Sequence, residues 1–230
     1  MIQFTSHYSG SKGNLYSITD GKTSLLLDPG VPIMKIKQAL NFKLSGINGC
    51  LVSHEHLDHS CSASDIAVNG IDLYAGHPTI EALGLSHHRI HDIILNIPLK
   101  IGTWYIRTLP VPHDVPNLAF HMSSKDHKCL FMIDALYCPY LFGGLTHIFL
   151  GINYDSDILK RNVKSGRIHP GLAIRIMQSH CSLKTALQFF KDQDLSRIEE
   201  IHVLHCSEAN LDKDKAKEAI QRVSGKLVVI

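Results

Sequence analysis

The segment CLVSHEHLDHS, residues 50–60, places three histidines, a glutamate and an aspartate in six consecutive positions directly after an apolar run. The run Cys50–Val52 predicts a short buried strand that the polar residues end. Polar groups at the end of a buried strand cost free energy unless they are paired, and a divalent cation pairs with imidazoles and carboxylates together. The segment therefore predicts a metal site.

The spacing of these residues favours two metal ions. His54 and His56 are two residues apart, so in an extended segment both rings point to one side and can share an ion. Asp58 and His59 lie just beyond, where the chain must turn, and can reach a second ion. Neighbouring ions in two-metal hydrolases are typically about 3.5–4 Å apart. The segment thus predicts ligands for a pair of divalent cations.

The composition is that of a globular protein. The chain has 230 residues, 44% of them hydrophobic, and a formal net charge of +2, which predicts one domain spanning residues 1–230. The absence of a long basic run excludes a non-specific DNA coat protein. No signal peptide or membrane helix is recognisable, which predicts a soluble cytoplasmic protein. The 6 scattered cysteines predict reduced thiols.

Hydrophobic patterning and turn residues divide the chain into strands and helices. Strands are predicted at residues 2–5, 15–19, 24–27, 50–52, 71–74, 103–109, 118–123, 129–133, 147–151, 201–204 and 227–229. Helices are predicted at residues 33–40, 62–68, 156–164, 183–191 and 211–223, with a short one after Pro78. The segment SGSKGN, residues 9–14, is predicted as a hairpin turn, with a backbone phosphate site as the alternative. The pattern favours an α+β fold in which two sheets lie between helical layers.

The ordered motif resembles that of the metallo-β-lactamase superfamily, H-x-H-x-D-H followed by a distant His, a distant Asp and a final His. The segments PVPHDVPN, CLFMIDA and IHVLHCSEAN supply the later residues His113, Asp134 and His205. The resemblance implies an αββα sandwich of two mixed β-sheets flanked by helices. It also implies that Glu55 and Leu57, at the variable positions of the string, point away from the ions.

The resemblance implies a role for each distant ligand. His113 corresponds to the third ligand of the first ion, Asp134 to the carboxylate that bridges both ions, and His205 to the last ligand of the second ion. Each also has a structural reading, as a loop residue, a helix cap and a core histidine respectively. Asp28 in LLLDPG matches a strand-end aspartate that supports the histidine loop, and a plain turn aspartate is the alternative.

Four further segments, SGSKGNLYSI, GINYDSDIL, SHCSLKTA and LHCSEAN, are similar to the YycJ/WalJ-like branch of the superfamily, which is associated with exonuclease activity on DNA. His180 corresponds to the histidine of that branch's Gly-His-Leu-Ser segment, whereas Ser179 and Cys181 depart from it. The correspondence implies that His180 contacts phosphate or protonates the leaving group; a surface histidine is the alternative. Ser182 and Asn210 are predicted as N-caps of the helices that follow them.

Together these residues predict a dinuclear-metal phosphodiesterase that hydrolyses nucleic acid in an exonuclease-like manner. The implied nucleophile is a hydroxide that bridges the two ions, with Asp58 orienting or deprotonating the water and His180 protonating the departing oxygen. Mixed imidazole and carboxylate ligands favour two Zn²⁺ ions and also admit Mn²⁺ or iron. His56 argues against flavodiiron-type oxidoreductases, which resemble H-x-E-x-D at this string.

Three alternatives stay open at the level of sequence. A cyclic-nucleotide phosphodiesterase resembling phage anti-Pycsar enzymes, which degrade defence signalling nucleotides, fits the compact length and the weak net charge. A nucleotide-sequestering binding protein would keep the metals without cleaving. Thioester or lactam hydrolysis is the third alternative. The expected partners are a nucleic acid or nucleotide substrate and no membrane, and the frequent pairing of superfamily members favours a homodimer.

Overall fold

The fold contains two β-sheets with helices beside them, and the computed structural model describes all residues, 1–230. The strands of the first sheet lie in chain order: β1 (Gln3–Tyr8), β2 (Leu15–Thr19), β3 (Ser24–Leu27), β4 (Gly49–Val52), β5 (Leu73–Gly76) and β6 (Ile90–Ile93). Strands β1 to β3 pair antiparallel, and β3 to β6 pair parallel. The carboxyl ends of β3 and β4 therefore lie at the same edge of this sheet.

The second sheet has the strand order β13-β12-β11-β10-β9-β8-β7. Its strands are β7 (Leu99–Ile101), β8 (Trp104–Val111), β9 (Asn117–Ser124), β10 (His127–Met132), β11 (His147–Gly151), β12 (Glu200–Leu204) and β13 (Leu227–Val229). Strands β10 to β13 pair parallel, whereas β7 and β8 pair antiparallel. The residues that follow β10, β11 and β12 are thus brought to one edge.

Eight α-helices complete the chain. They are α1 (Ile33–Ala39), α2 (Leu57–Ser60), α3 (Ala63–Val68), α4 (His77–Ala82), α5 (Ser156–Lys164), α6 (Pro170–Ser179), α7 (Leu183–Asp192) and α8 (Lys213–Ser224). The hydroxyl of Ser182 accepts the Thr185 N–H at 3.1 Å, which confirms Ser182 as the N-cap of α7. The predicted cap of the last helix is wrong: Asp212, and not Asn210, accepts the Lys215 N–H and is the N-cap of α8.

The predicted fold class is confirmed, because both sheets are mixed and helices flank them. Within this fold the chain divides into two compact units. Unit 1 consists of residues 1–109 and 121–126, and unit 2 of residues 110–120 and 127–230. A single domain over residues 1–230 stays a prediction. No helix has the length and apolar character needed to cross a membrane.

Unit 1 buries the apolar face of its parallel strands. All four residues of β4 are buried, as expected for a strand covered on both faces. Leu26, Cys50 and Val52 pack with Ile36 of α1 and Ile66 of α3 in one cluster. Truncating a buried leucine or isoleucine of this kind to alanine costs about 2–5 kcal/mol. The strand ends that carry the candidate ligands of unit 1 are therefore held by a packed core.

Unit 2 buries its strands in the same way. Every residue of β11 is buried, and α7 contributes the buried side chains of Phe189 and Phe190. Ala216 and Ile220 form the buried face of α8, and Ala219 and Val223 on the same face are partly buried, as the spacing of its apolar residues predicts. The parallel strands of unit 2 consequently form a fixed edge for the residues that follow them.

Candidate active site

The histidine string, residues 54–59, lies in unit 1 just after β4. Ser53 and His54 are fully buried, and the string continues through His56 into the single turn of α2. Nε2 of His54 lies 3.1 Å from Nδ1 of His56, and the Nδ1 of His54 lies 2.9 Å from the Ser53 hydroxyl. The two rings that the spacing predicted to share an ion are therefore adjacent.

The second half of the string is fixed by Asp28, which follows β3. The buried carboxylate of Asp28 accepts the Ser53 N–H at 2.8 Å and the Ser53 hydroxyl at 2.9 Å. Its Oδ2 also lies 2.8 Å from Nδ1 of His59. When Nδ1–H donates to Asp28, Nε2 of His59 keeps its lone pair for a metal ion. Asp28 thus supports the histidine loop, as predicted.

Asn14 is a further support, and sequence reasoning missed it. SGSKGN forms the predicted turn between β1 and β2, and its last residue is fully buried. The Asn14 amide donates to the Asp58 carbonyl oxygen at 2.9 Å and lies 3.1 Å from Nε2 of His59. An asparagine after a glycine in a turn signals local conformation, and it does not signal a contact with a residue 45 positions away. The turn therefore positions the histidine string from outside it.

Gly30 lies in the loop after β3 and allows this loop to pack closely against the histidine string. A Cβ atom at Gly30 would lie 1.8 Å from the carbonyl oxygen of Asp58 and 2.6 Å from the backbone nitrogen of His59. Both clashing atoms belong to the backbone and cannot rotate away. The glycine of the DPG segment is therefore required for the close packing that holds Asp58 and His59.

In unit 2, Asp134 and His205 lie just past the ends of β10 and β12. Both have left-handed backbone conformations, with φ of 47° and 51°. This conformation is uncommon for non-glycine residues and is enriched at functional sites. The Oδ1 of Asp134 lies 3.1 Å from Nδ1 of His205, and the Asn153 amide lies 3.2 Å from the same nitrogen. Parallel pairing of β10, β11 and β12 thus brings three distant residues together.

His113 lies in unit 2, just past the end of β8, and its imidazole is buried. Its Nδ1 donates to the Ser179 carbonyl oxygen at 2.7 Å, and its Nε2 lies 3.0 Å from Oδ1 of Asp114. Burial lowers the pKa of His113, although the Ser179 contact and the carboxylates of Asp134 and Asp114 act in the opposite direction. A neutral imidazole with Nδ1–H bonded to a carbonyl presents Nε2 as a ligand.

His180 directly follows α6, a helix that the sequence did not predict. The Ser179 hydroxyl donates to the Arg175 carbonyl oxygen at 2.7 Å, so its oxygen accepts the Nδ1–H of His180, also at 2.7 Å. Nε2 of His180 then faces Oδ2 of Asp134 at 3.6 Å. The Nε2 of His180 is therefore oriented toward a candidate ligand.

The donor atoms of both units have the chemistry of a metal centre. Neutral imidazoles and carboxylates are the usual ligands of zinc and its neighbours. His59 and His113 donate their Nδ1–H to the Asp28 carboxylate and the Ser179 carbonyl oxygen, which fixes both rings in the tautomer that a metal requires. The His and Asp groups at these strand ends fit a dinuclear metal site.

Comparisons with known proteins assign the class of this chain. The model of the metallo-beta-lactamase superfamily matches residues 9–157. The chain is 27% identical over 226 residues to the exodeoxyribonuclease WalJ of Streptococcus pneumoniae, with 90% of this chain and 82% of that protein covered. It is 22% identical over 244 residues to the exodeoxyribonuclease YycJ of Bacillus anthracis, with 96% and 89% covered.

Solved structures share the fold at low identity. The metallo-beta-lactamase fold protein YhfI from Bacillus subtilis superposes with a TM-score of 0.74 at 16% identity, covering 100% of this chain and 97% of that one. A diphosphatase from the PhnP family superposes with a TM-score of 0.65 at 14% identity, covering 100% and 95%. Likeness at this level of identity establishes the fold alone.

The chain belongs to the metallo-beta-lactamase superfamily. Within it, the relatives named above confirm the predicted resemblance to the YycJ/WalJ-like branch. Superfamily membership, together with the His and Asp groups, makes the chain a metal-dependent hydrolase, as predicted.

Proposed function

We propose that this chain is a dinuclear-metal phosphodiesterase that hydrolyses the phosphodiester bonds of nucleic acid in an exonuclease-like manner. The observation that carries the substrate class is the similarity to two exodeoxyribonucleases over 90% and 96% of the chain. The His and Asp groups at the strand ends support the dinuclear centre. Zinc is the proposed metal, because imidazoles outnumber carboxylates among the donors, and manganese is the alternative.

The proposed ligands fall into two groups. One group consists of His54, His56 and His113, and the other of Asp58, His59, Asp134 and His205. Asp134 would be the ligand shared by the two ions, because a carboxylate has two oxygens that can each accept a metal. When bound, the ions supply an activated water nucleophile and Lewis-acid polarisation of the phosphoryl group.

Side chains of the protein supply the proton transfers. Asp58 is partly exposed, and its carboxylate is proposed to orient the attacking water and accept its proton. The side-chain amide of Asn14 donates to the backbone carbonyl oxygen of Asp58 and not to its carboxylate. This contact fixes the position of the residue. His180 is proposed to protonate the departing oxygen, because Ser179 holds its Nδ1 and leaves Nε2 directed toward Asp134.

Nuclease activity can be tested by incubating metal-loaded protein with end-labelled single-stranded and double-stranded DNA. We expect stepwise shortening from one end, and 5′ and 3′ labels identify the polarity. The matched control is Asp134→Asn, which keeps the size of the side chain and removes the proposed bridging charge. Stable DNA with the wild-type protein under zinc and manganese would contradict the nuclease proposal.

One observation favours a second candidate, a phosphodiesterase of cyclic nucleotides. The net charge of +2 provides little long-range attraction for a polyanion. The same incubation with cyclic mononucleotides distinguishes the two, because hydrolysis of these alone would replace the nucleic-acid proposal. Stoichiometric retention of nucleotide without product would indicate a sequestering protein. Turnover of a chromogenic lactam or thioester alone would indicate a lactam or thioester hydrolase.

The oligomeric state is a proposal separate from the catalytic mechanism. We propose a homodimer, which light scattering coupled to size-exclusion chromatography tests against the 25.6 kDa chain mass. A mass of about twice the chain is expected for a cyclic pair, the commonest soluble assembly. A mass equal to one chain would reject the homodimer and leave the catalytic proposal unaffected.

A further inference from the structure

A second cluster of metal-ligating side chains lies in unit 2, at the opposite ends of the same parallel strands. His127 begins β10, His147 begins β11, and Glu199 directly precedes β12. Donor atoms of these three residues lie within 4.8 Å of one another. His127 is the first of the 6 residues of β10, and the segment that carries Asp134 follows the last of them, at a distance of about 20 Å along the strand. The cluster is therefore distinct from the candidate active site.

Strand register places the two histidines on one face of the sheet. Cys129 pairs with His147, and His127 lies two residues before Cys129, so His127 and His147 share a face. Glu200 pairs with His147 in the neighbouring strand, but its carboxylate lies 2.9 Å from Nε2 of His202. Glu199 is consequently the carboxylate that faces both histidines.

The hydrogen-bond partners of the cluster leave electron-rich atoms facing one another. The Thr146 hydroxyl donates to the Lys128 carbonyl oxygen at 3.0 Å, so its oxygen accepts the Nδ1–H of His147 at 2.9 Å. Nε2 of His147 then presents a lone pair 4.0 Å from Oε2 of Glu199. Nδ1 of His127 is buried without a hydrogen-bond partner and lies 3.9 Å from Oε1 of Glu199.

Neither histidine is hydrogen-bonded to Glu199. Both distances exceed the range of about 2.7–3.2 Å for a hydrogen bond. Burial is the main cause that lowers the pKa of His147, against the opposing charges of Glu199 and Glu200, and so favours the neutral ring. A cation between the three atoms would satisfy all of them at once.

We propose that His127, His147 and Glu199 bind a further divalent transition-metal ion, with zinc preferred. Donors bound at about 2.0–2.2 Å in a tetrahedral zinc site lie about 3.3–3.5 Å apart, so small side-chain movements suffice. Glu199 can make them, because its side chain is 54% exposed. Two imidazoles favour zinc, cobalt or nickel over magnesium or calcium. The ion would tie the starts of β10, β11 and β12 together.

The test counts zinc ions per chain by elemental analysis after equilibration with zinc and removal of free metal. We expect the double variant His127→Gln/His147→Gln to hold about one ion less than the wild-type protein. The matched control is His87→Gln/His88→Gln, which removes two neighbouring histidines whose ring centroids are 4.3 Å apart and which belong to no such group. The control should keep the wild-type count.

A second variant tests the proposal in case the double variant does not fold. Glu199→Gln changes an exposed side chain and leaves the Glu199 N–H free to donate to the Thr146 carbonyl oxygen as before. We expect it to weaken binding of the last zinc equivalent by at least about 10-fold in a calorimetric titration. Unchanged zinc content in the double variant, or unchanged affinity in Glu199→Gln, would overturn the proposal. The measured difference does not depend on whether the proposed active site binds its own ions.

Discussion

In unit 1 the candidate ligands lie within six consecutive residues, from His54 to His59, whereas in unit 2 His113, Asp134 and His205 lie on three separate segments. The string of unit 1 takes its geometry from neighbouring loops, through Asp28, Asn14 and the close approach at Gly30. The ligands of unit 2 take theirs from strand ends.

This difference shows which kind of substitution should disturb the candidate ligands of each unit. The string of unit 1 depends on a few contacts with residues outside it, so one substitution at such a residue should disturb it. Unit 2 depends on the parallel register of β10, β11 and β12 and on the left-handed conformations of Asp134 and His205. Those features persist when one polar contact is removed, so substitutions there should change chemistry more than geometry.

The largest effect is expected for His180→Gln in unit 2. Loss of a proton donor lowers kcat by about 10²–10⁴-fold, while metal content stays unchanged. A phosphodiester with a nitrophenolate leaving group needs no protonation, so the variant should approach wild-type rates on that substrate. The matched control is His169→Gln, at the exposed start of the same helix. Equal losses on both substrates would show that His180 does not act as the acid.

A smaller effect is expected for Asp28→Asn in unit 1. The amide cannot accept from Ser53 and His59 as the carboxylate does, so the His59 ring loses its fixed tautomer. Metal affinity should fall by about 10–100-fold, as measured by competition with a chelator. Asp65→Asn, on exposed helix surface of the same unit, provides the control. Unchanged affinity would remove Asp28 from the support of the string.

Gly30→Ala tests the same dependence through packing. The added Cβ meets the backbone of Asp58, which must shift, and overpacking of this kind costs about 1–3 kcal/mol. Chemical denaturation measures the change in unfolding free energy. Gly46→Ala is the matched control, because a Cβ there meets no atom within 4 Å. If the two variants were equally stable, the string would not depend on this close approach.

The smallest effect is expected for Leu57→Ala, inside the string itself. Leu57 is 70% exposed at a variable position of the motif, and surface substitutions usually change stability by no more than about 0.5 kcal/mol. Metal content and turnover should match those of the wild-type protein. A marked loss of either would mean that the string tolerates no change at any position, contrary to the distinction between its ligand and variable residues.

Much of the fold follows from local sequence. The bounds of β2, β3, β11 and α5 match the prediction residue for residue, because the apolar runs of the strands and the helical spacing of Ile158, Leu159 and Val163 in α5 end near turn signals. Strands β6 and β7 were missed, because IHDI and LKI carry charged residues and are strands through pairing with neighbours. Helix α6 was missed although Pro170 marks a helix start, since Gly171 and two β-branched isoleucines lower its propensity.

The site divides in the same way. The string could be recognised locally, because four potential ligands lie within six consecutive residues. Asp134 and His205 were identified through the ordered motif and not through a local pattern. Asn14 could not be found, because a hydrogen bond to a residue 45 positions away depends on the folded chain. Left-handed backbone at Asp28, Asp134 and His205 likewise arises from the tertiary structure.

The central claim is that the chain holds a pair of divalent ions that hydrolysis requires. Metal counting in the His127→Gln/His147→Gln background, which removes the further proposed site, tests it most directly. The account predicts about two ions per chain, with the loss of at least one ion and of turnover when Asp134→Ala is added. Absence of stoichiometric metal in that background, or undiminished turnover after the Asp134 substitution, would contradict it.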